Sequence, residues 1–487
     1  MKLKSIPRRL GYILGAQWTR DLSWTVFTIL LARRSPDILG QIVLALTFGY
    51  LVKTVADVGL NDFLLSTFAR REARPRALLG EVSWLKLGVL AAALGVTWLI
   101  TGWQGYTPEL RLVVLAIAAG LGLDAVADSF FNLCQARGRQ DVEMRIRVPA
   151  ALVGIGYGIV CVIAGAPPLA IALFKPLEAL LTIGFSLSAL GRNPLAGVGF
   201  GGMLHLARQM RHGLIFTGMA ACAMFYNKIN VIFLKKYGGN ADVGGYGVAW
   251  ETVEGLSVLV SSALLGKVIF PLLARLWQEN RAAFRRLAGQ TARSLWAASL
   301  PVIFFICVES DRILPFIYGP DYASAVTAQQ LLTPCLATAF LHNLAAYAMI
   351  GMRKHKLLFG FYLSGLVVNI VCCCTLIPAS PLVGAALSLT ITKVWVAILT
   401  VSYFQWAARP MTVAQWLLMG ACIAASVGLW WGLGLFVPRE LAELAGLAPL
   451  LALFWRWRPP PPFETARELE EDTGQAAATI DADGGNG

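Results

Sequence analysis

Ionisable residues fall inside long apolar runs, where a charge is hard to place, and seven of them could do chemistry. Arg20, Lys53 and Lys228 are basic; Asp124, Asp128, Glu251 and Glu254 are acidic. Ionised groups in hydrocarbon are costly and usually face a bundle interior or a watery cavity. Arg20 and Lys228 each fall near the middle of an apolar segment, and Lys53 lies within another. Three fixed positive charges at such depth suit an anion. An arginine fork or a lysine ammonium pairs well with phosphate or pyrophosphate. Internal pairing is the other reading, with Arg20 answered by Asp128 and Lys228 by Glu251 or Glu254. The two are compatible, because such pairs can lock a cavity while it is empty.

Asp124 and Asp128 are four apart, and Glu251 and Glu254 three apart, so each pair shares a helix face. Paired carboxylates can gate a transporter, carry protons or hold sodium. Elsewhere, Lys86 and Lys393 are expected to snorkel toward an interface, with Asp57 close to one. Lys175 and Glu178 are spaced for a local pair, and Lys267 ends an acidic helix on a basic note. No nucleophile or metal-ligand cluster completes an enzyme site, and no phosphate-binding glycine loop of the nucleotide-hydrolase type occurs. No enzyme, metal or cofactor is therefore expected. The nine cysteines show no CxxC spacing and read as small buried hydrophobes.

The elements that must position these charges are spanning helices. The chain has 487 residues, of which 57% are hydrophobic and 14% charged, with mean hydropathy +0.64. Apolar runs near twenty residues recur throughout, which marks a polytopic all-α membrane protein. The net charge of +13 resides in short loops and reads as topology, not as a nucleic-acid surface. Spans are predicted at 11–32, 39–60, 79–101, 108–133, 146–166 and 169–190. A second set follows at 211–235, 245–271, 292–309, 325–350, 357–377 and 382–405, then a pair at 412–435 and 440–456. The basic clusters fall on alternate loops, including Arg70 to Arg76, Arg137 to Arg147, Arg275 to Arg293 and Arg353 to Lys356. That bias gives fourteen spans with both termini inside. The segment after Met1–Arg9 reads as a retained first span, since no small-residue cleavage site follows it.

The predicted organisation is a six-helix lobe over 1–192, a cytoplasmic linker over 193–210 and a second six-helix lobe over 211–408. An additional helix pair covers 409–458, and a disordered acidic tail covers 459–487. The lobes look duplicated. Arg33 and Arg34 end the first helix and Gly40 opens the second; Lys235 and Lys236 end the seventh and Gly244 opens the eighth. A glycine-rich turn, Gly238 to Gly245, is predicted between those last two.

Several short motifs follow one another in order. They are Leu31-Ala32-Arg33 with Pro36 and Gly40, then Ala56-Asp57-Val58-Gly59-Leu60, then Leu65 through Ala69-Arg70. A second group spans Lys228 to Leu234, Gly244, Tyr246, Ala249 and Glu254, and closes on Phe270-Pro271-Leu272-Leu273-Ala274-Arg275. Later come Arg312, Ile313-Leu314, Tyr318-Gly319, Tyr322 and Gly384-Ala385-Ala386. Over residues 1 to 405 this pattern resembles the polysaccharide flippases. They belong to the superfamily that also holds multidrug and toxin extruders and the lipid II flippase. One departure is that Asn227 and Asn230 occupy a region where many relatives carry aspartate.

The resemblance implies two six-helix lobes in a V around a central cavity, rocking between inward- and outward-open forms in a bacterial inner membrane. It implies a cargo of polyprenyl-pyrophosphate-linked oligosaccharide, H+ or Na+ coupling, and a polysaccharide polymerase and glycosyltransferases as partners. Arg20, Lys53 and Lys228 are then the candidates for the pyrophosphate. Asp124, Asp128, Glu251 and Glu254 are the candidates for gating or ion coupling. Two other functions stay open: an ion-coupled exporter of drugs or small molecules, and a non-transporting scaffold for glycan assembly.

Overall fold

The computed structural model describes residues 6–57, 59–61, 64, 68, 75–136, 139–190, 214–259, 265 and 269–458. The expectations for Lys267, the linker 193–210 and the acidic tail 459–487 lie outside these residues. Among the described residues every regular element is a helix. The first set is α1 (Ile6–Arg34), α2 (Pro36–Asp57), α3 (Pro75–Trp103), α4 (Pro108–Ala136), α5 (Gln140–Ile163), α6 (Pro168–Ala172) and α7 (Phe174–Leu190). Then come α8 (Leu214–Leu259), α9 (Phe270–Glu279), α10 (Arg281–Val308), α11 (Ser310–Tyr318) and a 3-10 turn (Pro320–Ala325). The chain continues through α12 (Val326–Leu332), α13 (Cys335–Gly351), α14 (His355–Ala379) and α15 (Pro381–Ala408). It closes with α16 (Val413–Leu433) and α17 (Arg439–Trp457).

Helix occurs at all fourteen places where a span was predicted. Among the described residues eleven segments are long and apolar enough to cross a membrane, and α1 and α17 are not among them. One of the eleven, Ile215–Gly255, joins the seventh and eighth predicted spans in 41 residues. The glycine-rich turn predicted there is a correction: it contracts to a single break inside α8, at Gly239 with φ 89°. Only a residue without Cβ takes that conformation at little cost. Residues 260–264 and 266–268 of the eighth predicted span lie outside the described residues; Phe270 and Pro271 open α9, with proline in the first turn where its missing N–H costs nothing.

One further difference has a local cause. Helix α10 starts at Arg281, well before the predicted 292, because the Asn280 side chain accepts from Ala282 N and Ala283 N at 3.0 Å each. Between the spans predicted at 292–309 and 325–350 the chain forms α11 and the 3-10 turn.

The chain divides into two compact units. The first joins Met1–Glu251 with Asp311–Leu331 and Tyr362–Thr392. Its centre is α2, whose buried residues include Leu39, Ile42, Leu44, Phe48 and Val52. Apolar groups lie all round it, as expected of a helix enclosed by others. The second unit joins Thr252–Ser310, Leu332–Phe361 and Lys393–Gly487. There α16 and α17 form a hairpin over α10, around Leu300, Met419, Leu450 and Leu453. A capping box between Thr412 and Gln415 starts α16. The Ser426 hydroxyl donates to Gly446 O at 2.6 Å and ties the two helices together.

Within the first unit, α4 and α7 approach backbone to backbone at Gly120. A Cβ there would come within 2.6 Å of the Lys175 carbonyl carbon and the Pro176 nitrogen. A Cβ on Gly156 would meet nothing within 4 Å. Gly120→Val should therefore lower the melting temperature in detergent clearly, by the few kcal/mol typical of overpacking. Gly156→Ala should leave it within the scatter. Equal melting for both would show that close approach at Gly120 is not needed.

Candidate functional site

The polar interior of the first unit is built on one face of α4. Asp124, Asp128 and Asn132 recur every four residues, so they form a stripe along that helix. Four basic side chains from four other helices converge on it. From α7, Lys175 Nζ lies 3.0 Å from Asp124 Oδ2 and 2.7 Å from Glu178 Oε2. From α2, Lys53 Nζ lies 3.1 Å from Asp128 Oδ2. From α5, the Arg147 guanidinium pairs with Asp128 Oδ1 and, through Nε at 3.1 Å, with Glu143. From α3, Lys86 Nζ donates to Ala125 O and Asn61 Oδ1 at 2.8 Å each and pairs with Asp57 at 2.7 Å. Asn132 Nδ2 closes the cluster onto Asn61 Oδ1 at 2.8 Å.

This geometry corrects three expectations. Arg20 does not answer Asp128; its ion pair is with the adjacent Asp21 at 3.6 Å, and Asp128 is taken by Lys53 and Arg147. Lys86 does not snorkel: its side chain is 0% exposed, since it donates to Asn61 and Ala125 O and its charge pairs with Asp57. Arg147, read as a loop residue, lies inside α5 and stacks over Phe131 with the guanidinium carbon 4.5 Å from the ring centre. The local Lys175–Glu178 pair forms as expected, with Asp124 as an added partner.

Of the three cationic candidates, Lys228 approaches the face of α2 that carries Lys53. Lys228, on the first arm of α8, holds its ammonium 5.2 Å over the Tyr50 ring. Tyr50 is three residues before Lys53, hence on the same face of α2. Glu251 and Glu254 occupy the second arm of α8 and are partly buried.

The end of the bundle that the charge bias places outside is closed within the first unit. Gly40 packs against the Asn240 backbone, and Gly244 packs against Pro36. Pro36 stands to Gly40 as Asn240 stands to Gly244, four residues apart in both cases. The contact is therefore reciprocal, as at an isologous two-fold interface. Gly247 meets Val43 on the same line, with 2.7 Å left for an added Cβ. Neither partner leaves room for a side chain. Arg33 completes the closure. It donates through Nε to Ile317 O at 2.9 Å and through Nη2 to Phe316 O at 2.7 Å, capping the carbonyl end of α11. Tyr322, in the 3-10 turn, donates to Ala32 O at 3.2 Å. Arg33, Gly40, Gly244 and Tyr322 were all visible as motif residues, but nothing in their spacing disclosed that they touch. Among the described residues no group of three or more His, Cys, Asp or Glu could hold a metal ion.

Comparison with known proteins bears on what this arrangement does. Residues 30–327 match the family described as polysaccharide biosynthesis protein. No curated protein sequence matches the chain. Among solved structures the chain is similar to the lipid II flippase MurJ in an inward closed conformation, with TM-score 0.71 and 11% identity over 92% of this chain and 98% of that one. It is also similar to an inward-facing multidrug resistance MATE family transporter of the MOP superfamily, with TM-score 0.61 and 16% identity over 80% and 94%. A variant of the Vibrio cholerae MATE transporter VcmN gives TM-score 0.53 and 12% identity over 82% and 97%. At these identities the likeness is one of fold.

Two outcomes are expected. Lys86→Met strands Asp57 beside apolar surroundings and should destabilise by roughly 3–5 kcal/mol, as for a broken buried pair. Adding Asp57→Asn should recover most of that in detergent melting; additive losses would deny the pairing. At the other end, Gly244→Val should force the hairpin tips apart. A cysteine at Val43 should then react faster with a membrane-impermeant maleimide than in the parent, after subtraction of native thiol labelling. Unchanged labelling would show that the glycine contacts do not hold this end shut.

Proposed function

Because the chain belongs to the polysaccharide biosynthesis protein family, we propose that it is a flippase. Its cargo would be undecaprenyl-pyrophosphate-linked oligosaccharide, moved across the bacterial inner membrane for assembly of a surface polysaccharide. The observation that carries this reading is the fold shared with a lipid II flippase along almost the whole chain. Fourteen spans in two six-helix lobes plus a terminal pair remain the preferred arrangement. The pyrophosphate would be held by Lys228, Lys53 and Arg20, and the sugar would cross through the polar interior while the lipid stays in the bilayer.

Charge bookkeeping supports a cavity that is locked when empty. Asp128 has two basic partners, so Lys53 can leave it for a phosphate without stranding a buried carboxylate. Arg20 holds only a partly exposed pair with Asp21 at 3.6 Å, which costs little to give up. The clusters on α4 set four basic groups (Lys53, Lys86, Arg147, Lys175) against five carboxylates (Asp57, Asp124, Asp128, Glu143, Glu178). One proton or sodium ion would balance them, which favours Asp124 and Asp128 for ion coupling, with Glu251 and Glu254 as gating groups. The same excess carboxylate supports the second reading, an ion-coupled exporter of small molecules.

Reconstitution into vesicles with a fluorescent polyprenyl-pyrophosphate oligosaccharide separates these readings. Flipping predicts that the wild type moves the probe between leaflets and that Lys228→Gln slows it at least about tenfold, the cost of one charge-assisted contact. An unmoved probe together with export of a cationic dye would support the exporter. Neither activity, with unchanged sidedness of the lipid-linked glycan in a deletion strain, would leave a scaffold for polymerase and glycosyltransferases.

A further inference from the structure

A second basic site lies in the other unit, away from the α4 clusters. Helix α13 ends at Gly351, and the next three residues turn the chain into α14. Lys354 N donates to Met349 O at 2.8 Å and Arg353 N to Ile350 O at 2.9 Å. This is the double closure of a Schellman turn. Its left-handed position is filled by Arg353, with φ 60°, where glycine is the usual choice. The turn therefore holds Arg353, Lys354, His355 and Lys356 in a fixed array. They line a cavity of about 540 Å³ whose other wall is Tyr403 and Trp406, near the end of α15. That volume falls within the roughly 300–1,000 Å³ of small-molecule sites.

Three observations identify the occupant. The charge is one-sided: α14 opens with no acidic residue in its first turn, so its positive dipole end adds to the three basic side chains. The aromatic wall is built for an interface. Tyr403 and Trp406 pack with ring centres 5.7 Å apart, and Trp406 is 75% exposed. Such rings collect at headgroup depth. The site also continues into an apolar strip, for Trp395, Ile398 and Trp406 recur on one face of α15 and are all exposed. A soluble phosphate or an acidic peptide has no use for that strip, whereas acyl chains do.

We propose that this cavity is a binding site for an anionic phospholipid of the leaflet on the basic-loop side. The headgroup phosphate lies against Lys354 and Lys356, the glycerol region against Trp406, and one acyl chain runs along α15. The site is independent of the flippase reading, since it requires only that the chain be embedded in a bilayer.

The test uses the full-length protein in detergent, with phosphatidylglycerol or phosphatidylcholine titrated in native mass spectrometry. The wild type should retain phosphatidylglycerol at least about 30-fold more tightly than phosphatidylcholine, since each basic group near a lipid surface contributes about fivefold. Lys354→Gln with Lys356→Gln should weaken phosphatidylglycerol on the order of 30-fold and leave phosphatidylcholine unchanged. Lys354→Arg with Lys356→Arg should keep the affinity, which separates lost charge from lost folding. Trp406→Ala should weaken the lipid as well. Unchanged retention in the Gln pair would overturn the proposal. So would full displacement of the lipid by excess inorganic pyrophosphate, which would assign the site to a free phosphate.

Discussion

The constraint on which the first unit depends is the ionised stripe of α4. Asp124 and Asp128 are anions in an apolar bundle, and each is held in place by cations brought from other helices. Helices α2, α5 and α7 each donate one basic group to this stripe, while α3 reaches the α4 backbone through Lys86. Moving any one helix away would leave a charge stranded in a low dielectric, at a cost of several kcal/mol. The stripe thereby fixes the relative placement of five helices more firmly than apolar contact does, because apolar side chains gain little by packing on one another rather than on lipid.

The opposite kind of contact closes the far end. There the two hairpins meet through glycine against backbone, and the guanidinium of Arg33 rests on two helix-terminal carbonyls. The contacts described there are backbone packing and hydrogen bonds to carbonyls, and each polar group freed there can be taken up by water. A bundle with a stiff charged interior and a lightly fastened end is suited to opening at that end. The geometry there is reciprocal, Gly40 on Asn240 and Gly244 on Pro36.

The sequence disclosed the class of the protein, the helices and the inventory of charges. Apolar runs of spanning length are a strong local signal, and the helices form at each predicted place. Local pairing was legible where partners share a helix, as for Lys175 and Glu178. Helix limits were less legible where a cap sets them, as Asn280 does for α10, or where one glycine replaces a longer turn, as Gly239 does in α8.

Which charges meet across helices was decided by the tertiary structure alone. Asp128 could have faced Arg20, Lys53 or Arg147, and sequence spacing ranks none of them, since all lie on other helices. Rotation and depth of each helix select Lys53 and Arg147, leave Arg20 to Asp21, and bury Lys86 completely. The same holds for Arg33 and the carbonyls of Phe316 and Ile317, nearly three hundred residues away in the chain. Composition and periodicity record what each helix must hide from lipid. They carry no record of the neighbour it hides against, because lipid-facing and helix-facing surfaces are almost equally apolar.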